Sequence, residues 1–140
     1  MLKKDYIQRQ FEEFGKVMAV ILSYKRNNDW TNFELEIEKA LNRFTNFGIK
    51  DLIEKDLKSF EVFINENVQL KSEQIKIIAD LLYEKSFTSD NTEKETKDIL
   101  KKAGFLYELY SDNLTANEFN LEVRYRIDLI KKIILPPNQL

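Results

Sequence analysis

Apolar residues recur at intervals of three and four along almost the whole chain, the period of a helix with one buried face. The first stretch predicts a helix over about 4–25. Ile7, Phe11, Phe14, Met18, Ile21 and Leu22 form its stripe, and Tyr6, Val17, Val20 and Tyr24 widen it. Arg9, Glu12, Glu13 and Lys16 take the opposite face. A stripe that wide calls for two neighbours. Asn27, Asn28 and Asp29 then make a turn, with Asn28 or Asp29 as N-cap of a second helix. That helix carries Trp30, Phe33, Ile37, Ala40, Leu41 and Phe44 to about Asn46, and Gly48 suits the position just past its end. Leu52, Ile53, Leu57, Phe60, Phe63 and Ile64 predict a third helix over about 49–65. Ser72 reads as the cap of a fourth, whose stripe is Ile75, Ile78, Ala79 and Leu82.

Residues 88–98 contain no apolar side chain and read as a loop plus a solvated first turn. Thr92 and Glu95 have the spacing of a capping box there. The fifth helix buries Ile99, Leu100, Ala103, Leu106, Tyr107 and Tyr110, and Ser111, Asp112 and Asn113 turn the chain. The sixth has a second capping box, Thr115 with Glu118, and Leu114 and Phe119 at the staple positions. It runs to about Leu135, where Pro136 and Pro137 stop it. No segment alternates as a strand does. The expected fold is all-α: about six helices in antiparallel hairpins, a tetratricopeptide-like array or a bundle, forming one domain over residues 1–140.

The sixth helix has two apolar stripes. Phe119, Val123, Ile127, Ile130 and Ile134 make one, and Leu121, Tyr125, Leu129 and Ile133 the other. If one packs on the fifth helix, the other calls for a cover, either the first helix or a second copy of the chain. Glu122 and Arg126 fall between the stripes. A guanidinium there keeps its charge, so it must be paired. Arg126 is therefore expected to be substantially buried and bonded to a carboxylate, Glu122 or one from a neighbouring helix.

Leu100, Ala103, Gly104 and Tyr107 fall where the first helix of a tetratricopeptide repeat places its large, large, small and aromatic residues, with Ala116 at the small position of the second helix. Ile75, Ile78, Ala79 and Leu82 repeat the first-helix pattern, at a spacing shorter than the ~34 residues of a true repeat. Ordinary helix packing with small residues at the crossings explains the same pattern. The segments Lys4-Asp5-Tyr6-Ile7-Gln8-Arg9-Gln10, Gly15-Lys16-Val17, Glu38-Lys39-Ala40-Leu41, 72–83 and Arg126-Ile127 go further. Through them the chain resembles, end to end, an uncharacterised bacterial family of small helical, tetratricopeptide-like proteins. The resemblance implies an all-α fold and carries no activity with it.

Composition narrows the chemistry. The chain has no histidine and no cysteine, and its three glycines, Gly15, Gly48 and Gly104, are isolated. The usual nucleophile–base pairs, soft-metal sites and glycine-rich phosphate cradles cannot be assembled from that set. Carboxylates offer no substitute. Glu34 with Glu38 and Glu93 with Lys97 read as solvated helix faces, and Asp90, Thr92 and Lys94 lack the ligands and glycine of a calcium loop. No cofactor or metal is expected. The net charge is −2, with both signs interspersed, so the basic stripe that nucleic acid needs is missing. The longest apolar run, 17–22, is far short of a membrane span, and charges break up the opening residues where a leader would be apolar. These features suggest a soluble, cytoplasmic protein. They also make the Asn113-Leu114-Thr115 sequon coincidental.

One cluster remains as candidate partner-binding surface: Tyr107, Tyr110 and Tyr125 with Arg124 and Arg126, alongside Phe119. Tyr and Arg dominate protein interfaces, and Tyr also completes cores. The expected function is a non-catalytic helical interaction or scaffold module with a protein partner, or a homodimer. Its rivals are a small-molecule sensor or enzyme with an apolar pocket between helices, and a structural subunit of a larger complex.

Overall fold

The computed structural model describes residues 2–67, 69–114 and 120–135. Among these residues are seven α-helices and no strand: α1 (Leu2–Arg26), α2 (Trp30–Thr45), α3 (Ile49–Ile53), α4 (Leu57–Glu66), α5 (Ser72–Lys85), α6 (Glu93–Asp112) and α7 (Leu121–Ile134). No described helix is long and apolar enough to cross a membrane.

Local chemistry sets most of the boundaries. Asn28 takes a left-handed conformation, and the Asp29 carboxylate accepts the Asn32 N–H, so the chain reverses into α2. The α1–α2 hairpin closes at its far end with Phe14 edge-on to Phe44, ring centroids 5.4 Å apart. Thr92 and Glu95 form the expected capping box: the Thr92 hydroxyl accepts the Glu95 N–H and the Glu95 carboxylate accepts the Thr92 N–H. Thr92→Ala should lower stability by about 0.5–2 kcal/mol. Urea unfolding checks this, and an unchanged midpoint would mean the cap contributes nothing.

Elsewhere the boundaries depart from the periodicity. Asn46, not Gly48, is the left-handed residue that ends α2, a role asparagine tolerates. Gly48 instead begins α3, its N–H donating to the Asp51 carboxylate. Ser72 is the first helical residue of α5. The cap is Lys71, whose N–H is satisfied by the Gln74 side chain. α6 runs through Ser111 and Asp112, where a turn is expected, because its last N–H groups still find carbonyls one turn back. α7 starts at Leu121, capped by Asn120, whose side chain accepts the Val123 N–H. The Thr115–Glu118 box, Phe119, Ala116 and the Pro136-Pro137 stop lie outside the described residues.

The largest departure is the third expected helix, which is two. The chain leaves helical geometry after Ile53 and restarts at Leu57, with the Asp56 carboxylate accepting the Ser59 N–H at 2.8 Å. That hydrogen bond, with help from the Lys102 and Lys58 charges, holds the Asp56 carboxyl below its ordinary range. The break frees carbonyl groups, and Lys102 of α6 satisfies them. Its ammonium donates to the Ile53 carbonyl at 3.0 Å and to the Lys55 carbonyl, and pairs with Asp98 at 3.1 Å. All three ammonium protons have an acceptor, and the side chain is 0 % exposed.

α5 is the centre of the fold. It packs on α1 and α2 on one side and on α6 on the other, so ten of its 14 residues are buried. Ile77 and Leu81 are fully buried although they lie off the stripe of Ile75, Ile78, Ala79 and Leu82. α7 packs along α6, where Gly104 allows close approach: a Cβ there would sit 3.4 Å from the Ile130 side chain. The two segments with the repeat-like pattern are thus consecutive helices that pack on each other as α5 and α6.

Candidate functional site

The all-round burial of α5 creates an electrostatic problem at Asp80, a carboxylate in the run Ile77-Ile78-Ala79-Asp80-Leu81-Leu82-Tyr83. A buried carboxylate needs charged or hydrogen-bonding partners. Three helices provide them. Lys76, one turn earlier on α5, donates to Asp80 Oδ2 at 2.9 Å. Tyr107 of α6 donates its hydroxyl proton to Oδ1 at 2.5 Å. Arg126 of α7 donates from Nη1 to the same Oδ1 at 2.6 Å and to the Tyr107 oxygen at 2.7 Å. The guanidinium lies over the Tyr83 ring, 4.7 Å from its centroid. Among the described residues no buried side-chain polar atom is left without a partner.

Lys76, Asp80 and Arg126 of this cluster form the floor of a surface groove of about 380 Å³ between α1 and α7. Phe11, Phe14, Met18 and Leu22 of α1 form an apolar wall, and Glu122 and Arg126 of α7 face it across Lys76 and Asp80. Glu122 stands 3.8 Å from both Lys76 Nζ and Arg126 Nη1.

The protonation states follow from the environment. Burial, reinforced by the Asp80 charge, raises the Tyr107 phenol well above its ordinary value, so it stays protonated. Burial also raises Tyr83. For Arg126, burial opposes the charge, but Tyr107 and Asp80 outweigh it and the net displacement is upward. Tyr107 and Arg126 therefore keep their protons near neutral pH.

A pH prediction follows for Tyr107. Above pH 10.0 the unfolded phenol gives up its proton while the folded one keeps it. The unfolded state then binds fewer protons, so stability falls as pH rises. The contribution is complete below the ordinary value and is lost as pH climbs through it toward the raised one. Urea midpoints of the parent chain and Tyr107→Phe should therefore draw together only as pH rises above 10.0. Profiles that stay parallel would contradict the shift.

The candidate residues read from sequence divide. Arg126 is part-buried, its side chain 21 % exposed, and bonded as expected to a carboxylate, that of Asp80 on a neighbouring helix. Tyr107 is a fully buried member of the same cluster, and Tyr110 is buried and lines the groove. Tyr125, 66 % exposed, and Arg124, also exposed, lie on α7 but do not line the groove. Of the second stripe of that helix, Leu129 and Ile133 pack partly on the core, while Leu121 and Tyr125 stay exposed. Asp80, Lys76 and Tyr83 are absent from the expected set. The available signal was Asp80 itself, a single carboxylate inside an apolar run, on a chain with one arginine between two apolar stripes.

No protein-family model, no curated protein and no solved structure matches the chain. Among the described residues no group of three or more metal-ligating side chains is gathered.

Proposed function

We propose that this chain is a non-catalytic helical binding module that docks a segment of a partner protein in the groove between α1 and α7. The observation that carries the reading is the groove's construction. A guanidinium held in place by Asp80, Tyr107 and Tyr83 forms its floor, one wall is apolar, and two large apolar side chains, Leu121 and Tyr125, stay exposed on the same helix. Cations held in place beside an apolar furrow are what protein interfaces use. The chemistry of the floor supports a binding role over a catalytic one. Arg126 does not release its proton and Tyr107 holds its own, so neither is poised as an acid or base near neutral pH.

The test compares three forms of the chain as bait in its native host. The parent and Leu35→Ser, a change at an exposed position on α2, should retain the same protein. Phe11→Ser/Met18→Ser, two changes on the apolar wall of the groove, should lose it. Equal capture by all three would remove the docking face from consideration. A metabolite that raises the melting temperature, with no protein captured, would favour the sensor or enzyme reading. Light scattering separates a second copy of the chain from a foreign partner.

A further inference from the structure

We propose that the groove selects a carboxylate side chain flanked by apolar residues on the partner's segment, and that Glu122 occupies that carboxylate's position until the partner arrives. The inference rests on the docking reading above. Two cations, Lys76 and Arg126, face the groove, and one buried anion, Asp80, lies between them. Tyr107 stays neutral. Among the described residues the floor therefore carries one positive charge beyond what Asp80 balances, and Glu122 offsets it.

Glu122 does so loosely. Its carboxylate is 3.8 Å from each cation, outside hydrogen-bond range, and its side chain is 60 % exposed. Ion pairs of that kind are easily exchanged. The donors it leaves unused are well defined. Among the described residues Lys76, with three ammonium protons, makes one hydrogen bond, to Asp80, and Arg126 donates only from Nη1. An incoming carboxylate can take the remaining donors from both cations at once if Glu122 swings into solvent.

The surroundings specify the rest of the occupant. The Lys76 ammonium lies 5.7 Å from the centre of the Phe11 ring, and Met18 and Leu22 continue that wall. A residue next to the carboxylate thus meets apolar surface, and Leu121 stands exposed beyond Glu122 on the same helix. A single surplus positive charge matches a monoanion. A phosphate dianion would leave negative charge uncompensated beside Asp80.

The experiment is a selection from a random dodecapeptide library on the immobilised full chain, followed by affinity measurements against three forms of the protein. Enriched peptides should carry Asp or Glu between apolar residues. Glu122→Gln should bind them about two- to fivefold more tightly, because a competitor worth at most an exposed ion pair is gone. Lys76→Gln should bind them at least about tenfold more weakly, because a charge-assisted hydrogen bond is lost. The gain on Glu122→Gln cannot come from a folding defect. Enrichment of peptides without an acid, or no tightening on Glu122→Gln, would overturn this inference and leave groove docking intact. Tighter binding of a phosphoserine version of the same peptide would overturn the monoanion preference. No enrichment at all, or a thermal shift with sodium decanoate alone, would overturn the docking reading itself.

Discussion

Replacing Arg126 by Met should destabilise the fold by about 3 kcal/mol, the lower end of the range for removing one partner of a buried ion pair. The lower end is expected because Asp80 keeps Lys76 on Oδ2 and the Tyr107 hydroxyl on Oδ1. The loss comes from the carboxylate left under-compensated in the core, not from Glu122, which is exposed and already close to solvent. The double variant Asp80→Leu/Arg126→Met should recover most of the stability, since the charge and its partner leave together. Urea unfolding of the two singles and the double gives the coupling directly. Additive effects would mean that Asp80 and Arg126 do not depend on each other.

Lys102→Met should be as damaging, although no negative charge is buried with it. The Ile53 and Lys55 carbonyls lose their donor where the chain breaks between α3 and α4. Each buried acceptor left without a donor costs about 1–3 kcal/mol. Asp98 is the control. It is the partly exposed third partner, so Asp98→Asn should cost less than about 1 kcal/mol. If Lys102→Met unfolds at the parent's urea concentration, the ammonium is not what satisfies that break.

These two residues mark the limit of what the sequence made legible. The all-α class, most helix boundaries and the Thr92–Glu95 box were readable because they depend on neighbours within one turn. The break at 54–56 was not, because apolar spacing continues through it and the donor that permits it lies on α6, 49 residues beyond Ile53. Lys102 itself follows Leu100 and Lys101 in what reads as the polar side of the fifth helix. Arg126 was legible as a part-buried, paired cation from its place between two stripes. Its partner was not, since only the packing of α7 beside α5 decides between Glu122 and Asp80. Tyr107 and Tyr125 look alike in sequence, yet one is core and the other is surface. Helical period places a side chain on a face, and the neighbouring helices decide what that face meets.

The double-sided burial of α5 has a consequence for how the chain comes apart. A stacked helical array can lose an end unit and keep the remainder, because each unit leans only on the next. Here α5 contacts α1 and α2 on one flank and α6 on the other, and its own carboxylate is neutralised from α7. Removing either flank leaves one side of that buried helix facing water. Neither flank is self-sufficient. The described helices should therefore melt as one cooperative unit, with the circular dichroism and tyrosine fluorescence transitions superimposed.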